Sequence, residues 1–455
     1  MIALNLSQLA AASGGELRGT DAAILAVTTD SRAHLAEGGL FVALSGERFD
    51  GHDFADAAIK QGASALLVER WLDLDEASPL AQTKVAQIKV ADTRLALGVL
   101  GGLVREQSSA KVLAITGSCG KTTVKEMAAS ILRQKGPVLA TKGNLNNEIG
   151  VPLTLCELTT DTAYAVVELG ANHVGEIAWT SSLTQPHVAI INNVEASHLE
   201  GFGSLEGVAQ AKGEIYSGLI AGGVAIANGD SPFCKLWKEQ HSLVYFGEHK
   251  DYQARDIQLD KAGCAQFRLL TPQGEVAVKL PVPGKHNVAN ALAAAAGTAA
   301  LGASLSEISA GLSQFTSSAG RLEVWTRPGL TVLDDTYNAS VASVLAGLDT
   351  LASLAGYRVF VFGDMAELGT YSKEMHLQVG EHAKKLGIDC VLTVGKDSQY
   401  TAHAAQGLHF TDKQQLTPVL FETLAQHNKV VVLIKGARSA RMEDIVRAIQ
   451  EEGQC

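Results

Sequence analysis

The residues Gly117-Ser118-Cys119-Gly120-Lys121-Thr122-Thr123 bring together the parts of a phosphate-binding device. Two glycines let the backbone turn sharply and approach an anion closely. A lysine can reach the outer phosphates, and a threonine hydroxyl can hold a divalent cation. The stretch follows the apolar run Val112-Leu113-Ala114-Ile115, which reads as a strand. It opens a helical pattern with apolar residues at Val124, Met127, Ala128, Ile131 and Leu132. At such a helix N-terminus the unpaired N–H groups and the helix dipole both favour negative charge. The longer form of this loop has a glycine where Ile115 stands, so this is the shorter G-x-x-G-K-T version, and ATP or GTP is the expected ligand.

Other polar residues fall where a strand should end. Tyr164-Ala165-Val166-Val167-Glu168 puts a carboxylate at the C-terminal end of an apolar run, the edge at which α/β sheets bind ligands. Glu168 there is either a hard oxygen ligand for a nucleotide-bound cation or a capping acid. Val188-Ala189-Ile190-Ile191 ends likewise at Asn192-Asn193, with His198 just beyond; alone, that histidine reads as a surface residue. Lys212 alone reads as the solvated side of an amphipathic helix. Asn287 and Asn290, three apart at the start of an alanine-rich helix, are either first-turn polar residues or amides that read a purine. Asp334-Asp335 end a further strand, and two adjacent acids are more than a turn requires.

These residues need several sheets to position them. The chain has 455 residues, too many for one ordinary core. Residues 1–108 alternate short strands (Leu40 to Leu44, Ala65 to Val68) with helices (Asp53 to Gln61, Asp92 to Gln107), and a polar joint at Gln107-Ser108 closes this first domain. Residues 109–316 carry uninterrupted apolar strands, Ala163 to Leu169, Val188 to Ile191 and Val224 to Ala227, the pattern of a parallel sheet buried on both faces. Within them, 243–282 alternates around Thr271-Pro272-Gln273-Gly274 and reads as an antiparallel hairpin appended to that sheet. After a hinge at Ser317-Ser318-Ala319-Gly320-Arg321, strands Leu330 to Asp334, Arg358 to Phe362, Cys390 to Val394 and Lys429 to Ile434 indicate a doubly wound, Rossmann-like third domain over 317–455. The fold class is therefore α/β in three domains.

Composition narrows the partners. A net charge of −11 argues against a general nucleic-acid binder and against attraction to an anionic membrane. Six scattered cysteines with no C-x-x-C pattern fit reduced thiols in a cytoplasmic protein rather than disulfides or a zinc site. The start Met1-Ile2-Ala3-Leu4-Asn5-Leu6 lacks a basic n-region, and the one long uncharged run, Asn287 to Ser306, is mostly alanine, so no membrane insertion is expected.

Taken together, the motifs resemble the Mur ligases of bacterial cell-wall synthesis over essentially the whole chain. The resemblance is carried by Thr29-Asp30-Ser31-Arg32, the phosphate loop with Val124-Lys125-Glu126-Met127, and Gly143-Asn144-Leu145-Asn146-Asn147-Glu148. It continues through Glu168-Leu169-Gly170-Ala171-Asn172, His198-Leu199-Glu200-Gly201-Phe202-Gly203, His286-Asn287-Val288-Ala289-Asn290, Asp334 to Asn338, and Lys435-Gly436-Ala437-Arg438-Ser439. One departure is Ser340-Val341, where relatives tend to have a proline. Within the family the chain is similar to the member that adds D-alanyl-D-alanine, since the Asp-Asn-Pro-Arg that reads meso-diaminopimelate in the preceding ligase is absent.

The resemblance implies ATP and Mg²⁺ as cofactors and UDP-N-acetylmuramoyl-tripeptide and D-alanyl-D-alanine as substrates, joined through an acyl phosphate by an enzyme expected to be a monomer. It implies that Lys121 and the rest of Gly117–Thr123 hold the ATP phosphates, that Thr122 and Glu168 hold one Mg²⁺, and that His198 holds a second with Lys212, if that lysine is carbamylated. By the same resemblance Asn287 and Asn290 contact adenine, and Arg321 and Asp335 the phosphates and ribose. Ser31 and Arg32 lie near the UDP, while Asn146, Asn147, Asn338, Lys435 and Arg438 line the substrate and dipeptide side. A GTPase of the phosphate-loop class would need a guanine-reading N-K-x-D, which is not found. A folylpolyglutamate synthetase shares the ligase plan, but the Thr29-Asp30-Ser31-Arg32 start weighs against it.

Overall fold

A computed structural model describes residues 1–46, 49–72, 85–196 and 199–452. Its strands fall into three larger sheets that follow chain order. The first has five strands, in the order Glu16–Arg18, Ala86–Lys89, Ala63–Val68, Gly39–Val42 and Ala26–Thr28, parallel except for the first. The second is wholly parallel, with six strands in the order Leu243–Phe246, Val224–Asn228, Val188–Ile191, Lys111–Thr116, Tyr164–Glu168 and Val138–Ala140. Sequence order reverses direction at Lys111–Thr116, which makes the end of that strand the topological switch point where α/β sheets bind ligands. The third sheet runs Glu323–Arg327, Leu330–Asp335, Val430–Lys435, Tyr357–Gly363, Cys390–Val394 and Leu408–Phe410, parallel apart from its first edge strand.

The strands Val188–Ile191 and Val430–Lys435, apolar apart from the terminal Lys435, are buried at every residue, as strands covered by helices on both faces must be. The hairpin expected around Thr271-Pro272-Gln273-Gly274 is present, with Thr271 opposite Gly274, but the stretch from 243 to 282 holds more than that hairpin. Leu243–Phe246 is apolar without alternation and completes the parallel sheet. The alternating part forms a separate three-stranded antiparallel sheet, Gln253–Leu259, Cys264–Thr271 and Gly274–Pro283.

Between these two sheets lies the helix His286–Ala300, and its composition explains how close they come. Ala291, Ala293, Ala294, Ala295 and Ala296 share one core with Leu113 and Ile190 on one side and Phe267 and Leu280 on the other. At Gly297 a Cβ would stand 2.5 Å from Leu113 and 2.6 Å from Ile190, so only a helix of minimal side chains fits. A second core joins the first sheet to the central one through the helix Thr93–Gln107, capped by Asp92, whose Gly101 faces Pro152 and whose Gly98 faces Trp179. Among the described residues no helix is long and apolar enough to cross a membrane.

Candidate functional site

A cavity of about 1330 Å³ opens where the central sheet's C-terminal edge meets that of the third sheet. Its walls include the phosphate loop, Asn146, Glu168, Lys212, Asn290, Arg321, Asp335 and Lys435. Almost every polar residue singled out from sequence faces this one space.

The loop itself is built by local geometry. Gly120 has φ of +76° and precedes the helix Lys121–Leu132; a side chain there would also strike Asn290 Oδ1 at 2.5 Å and Asn192 Nδ2 at 2.7 Å. The first bond of that helix runs from Val124 N–H to the Gly120 carbonyl, so the preceding N–H groups point to the cavity. Asn193 holds the other arm, its side-chain oxygen accepting the Cys119 N–H at 2.9 Å and its carbonyl accepting that of Ser118 at 3.1 Å. Asn192 donates to the Cys119 carbonyl and to Asn290, 3.0 Å in each case. Sequence reading noted these two asparagines at a strand end without giving them a role; adjacency of Val188–Ile191 to Lys111–Thr116 is what brings them to the loop.

Lys121 donates to the Gly117 carbonyl at 2.8 Å, and burial lowers its pKa, with Glu168 opposing and Arg321 adding to the shift. The Thr122 hydroxyl donates to Glu168 Oε2 and the Asn146 amide to Oε1, both at 2.8 Å, and Glu168 is 2% exposed. A hydroxyl and one carboxylate beside a phosphate loop suit Mg²⁺, which takes few protein ligands and shares the rest with phosphates and water. Among the described residues no cluster of three or more His, Cys, Asp or Glu forms an all-protein cage.

Lys212 corrects its surface reading. On the helix Leu205–Gly213 it is only 4% exposed, and burial first, then Lys121, lowers its pKa to about 7. His198 lies outside the described residues.

Asn290 donates to Asn287 Oδ1 at 3.0 Å, and Asn287 donates to the Pro283 carbonyl at 2.7 Å; the amides are partnered with one another and still line the cavity. Asn147 accepts the N–H groups of Ile149 and Gly150 and so caps the helix Gly150–Cys156. Across the cavity the Arg321 guanidinium lies 4.1 Å from the centre of the Tyr337 ring. Asp335 accepts Leu322 N–H at 3.2 Å and pairs with Lys435, which also donates to the Asn338 carbonyl at 2.9 Å. Arg438 pairs with Glu443 at 3.1 Å. His286, overlooked as a separate candidate, also lines the cavity, and burial holds its pKa below the usual value despite Asp335.

Ser31 and Arg32 lie apart from this cavity, beyond the edge strand Ala26–Thr28 of the first sheet. Arg32 forms a two-pronged contact with Asp30 at 2.9 Å, and that hydrogen bond lowers the Asp30 pKa to about 2.

Comparison with known proteins places this geometry in context. Family models described as Mur ligase family catalytic domain, Mur ligase middle domain, and Mur ligase glutamate ligase domain match residues 23–103, 115–298 and 320–452 respectively. The chain is 51% identical over 463 residues, covering all of both chains, to the UDP-N-acetylmuramoyl-tripeptide–D-alanyl-D-alanine ligase of Escherichia coli. It superposes on the MurF crystal structure from Acinetobacter baumannii with a TM-score of 0.92, at 40% identity and 98% coverage of each chain. It also superposes on the MurF ligase of Thermotoga maritima in complex with ADP, with a TM-score of 0.82, 28% identity, and coverage of 94% of this chain and 98% of that one.

Proposed function

The chain belongs to the Mur ligase family, and from that premise we propose that it is the ATP-dependent ligase joining D-alanyl-D-alanine to UDP-N-acetylmuramoyl-tripeptide in peptidoglycan synthesis. The observation that carries this reading is the full-length similarity to a ligase of that name, together with a phosphate loop that faces Arg321, Asp335 and Lys435 across one cavity.

In this reading the chain works as three parts, 1–108 for the UDP end, 109–316 for ATP, and 317–455 for the dipeptide. The tripeptide's terminal carboxylate attacks the γ-phosphorus of ATP; the bond to the β–γ bridging oxygen breaks, ADP leaves and an acyl phosphate forms. The dipeptide amine then attacks the acyl carbon, the carbon–oxygen bond to phosphate breaks, and the amine loses a proton as the amide forms. Two anions must meet in the first step, so cationic groups around them are required. Lys121 and Arg321 supply that charge from opposite walls, and the loop N–H groups orient the phosphates. Asn287 and Asn290 face the adenine, Asp335 the ribose, and Asn146, Asn147, Asn338, Lys435 and Arg438 the substrate and dipeptide, with Ser31 and Arg32 at the UDP.

Thr122 and Glu168 would hold Mg²⁺, which when bound neutralises phosphate charge. His198 and Lys212 are assigned to a second cation, Lys212 as a carbamate. Its ammonium would lose one proton, and the free amine would then attack carbon dioxide, form a carbon–nitrogen bond and release a second proton, so that a cation beside Lys121 becomes an anionic oxygen ligand. The near-complete burial of Lys212 next to a second lysine supports that modification.

The test is phosphate release from ATP with UDP-N-acetylmuramoyl-tripeptide, with and without D-alanyl-D-alanine. Release that depends on both substrates, with one amide formed per phosphate, is expected; release indifferent to the dipeptide would overturn the assignment.

A further inference from the structure

Lys125, in the second turn of the phosphate-loop helix, is the one lysine there without a role so far. It is 1% exposed, and its ammonium donates to the Thr141 carbonyl at 2.5 Å and pairs with the Glu126 carboxylate at 2.8 Å. A buried ammonium is costly unless such bonds satisfy it, so the geometry around Thr141 is strongly specified.

Thr141 stands just past the strand Val138–Ala140 and is itself 1% exposed. Its N–H donates to the Val166 carbonyl and its hydroxyl accepts the Glu168 N–H, each at 3.0 Å. Five residues on, Asn146 reaches Glu168 Oε1, and its carbonyl accepts the Gly170 N–H at 2.8 Å. The other carboxylate oxygen of Glu168 accepts the Thr122 hydroxyl. Thr122 and Lys125 are three apart on one helix and therefore share a face. The bonds close a ring that runs from Thr122 to Glu168, to Thr141, to Lys125 and back along the helix.

We infer that Lys125 is a positioning residue: by pinning the Thr141 carbonyl it fixes the backbone on which Glu168 and Asn146 meet, and so sets how tightly nucleotide-bound Mg²⁺ is held. The inference rests on the reading of Glu168 as a cation ligand given above. It differs from a packing role in one respect. Loss of the ammonium should loosen the carboxylate while the phosphate loop, held at the Cys119 N–H by Asn193 and at the Cys119 carbonyl by Asn192, keeps its place.

The experiment is calorimetric titration of ADP into the full-length protein, once with MgCl₂ and once with EDTA, for wild type, Lys125→Met and Thr141→Val. Partners behind a metal ligand typically contribute about 10- to 100-fold in metal affinity. Lys125→Met should therefore weaken ADP binding by about that factor in Mg²⁺, and by less than about twofold in EDTA, where Glu168 has no cation to hold. Thr141→Val, which keeps the side chain's shape but removes the hydroxyl that accepts the Glu168 N–H, should show the same selective loss at about tenfold. Equal loss in Mg²⁺ and EDTA, or no loss in either, would overturn the inference. If Lys125→Met does not fold, Thr141→Val decides, and an unchanged Mg²⁺ dependence there overturns it. Wild-type ADP binding that Mg²⁺ does not strengthen would overturn the reading of Glu168 as well; a wild-type Mg²⁺ effect with unselective loss in the variants overturns the role of Lys125 alone.

Discussion

Lys435 and Asp335, 100 residues apart in sequence, form an ion pair with a nitrogen–oxygen distance of 2.5 Å at the floor of the cavity, with side chains 2% and 12% exposed. The resemblance assigns them to different substrates, Lys435 to the dipeptide and Asp335 to the nucleotide. Their pairing means that each neutralises the other where the two substrates would meet. Removing one partner leaves an uncompensated buried charge.

Lys435→Met should therefore destabilise the C-terminal sheet by about 3–5 kcal/mol, the range for breaking a buried pair. Lys435→Met/Asp335→Asn should recover most of that loss, because neither residue then carries a charge. Urea unfolding of the two variants beside wild type measures both effects. A single variant as stable as wild type would show the pair to be energetically idle.

Lys121→Ala should reduce ligation by about two decades or more, the scale for losing a group that stabilises transition-state charge. The fold should survive, since the Gly120 turn and the Asn193 contacts that shape the loop do not involve the Lys121 side chain. Circular dichroism and thermal melting would confirm an intact protein. Near-normal turnover in such a protein would remove Lys121 from the phosphate site.

What was readable in the sequence was local. Gly117–Thr123 declared itself because strand, glycine turn and helix follow one another within about twenty residues, and Val188–Ile191 and Cys390–Val394 match their apolar runs residue for residue. What stayed hidden depends on contacts between distant segments. Asn193 meets Cys119 across 74 residues. The hydrophilic character of Lys212 suggested solvent, and only its burial in the folded chain, within electrostatic reach of Lys121, shows otherwise. Asn147 and Asn146 are neighbours in one motif, yet one caps a helix while the other holds Glu168. Spacing alone does not separate those jobs.

Cys119 sits inside the phosphate loop and invites labelling by thiol reagents, but its chemistry should be slow. Burial pushes its pKa up to about 11, so at pH 8 only about one thiol in a thousand is the reactive thiolate. Alkylation by iodoacetamide at pH 8 should lag behind a free thiol by about two decades or more, and its rate should rise about tenfold per pH unit until the protein itself unfolds. Mass spectrometry of the Cys119 peptide over a pH series gives the slope. Rapid labelling at pH 7 would contradict the raised value.

The Lys212 carbamate is open to a test that separates chemistry from packing. Lys212 is buried, so Lys212→Ala removes both volume and a polar group, and some loss of stability is expected from the cavity alone. Activity should fall by about two decades or more, as for other groups that stabilise charge at the reacting centre. Acetate, propionate or bicarbonate at high concentration should then restore part of it, because a small oxygen anion can occupy the space the carbamate leaves. Melting temperature serves as the control: an additive that only stabilises the fold would raise melting and activity together. Recovery of activity at constant melting temperature is the expected result. A fully active Lys212→Ala would end the assignment, and an inactive variant that no acid restores would leave Lys212 important to activity without support for the carbamate.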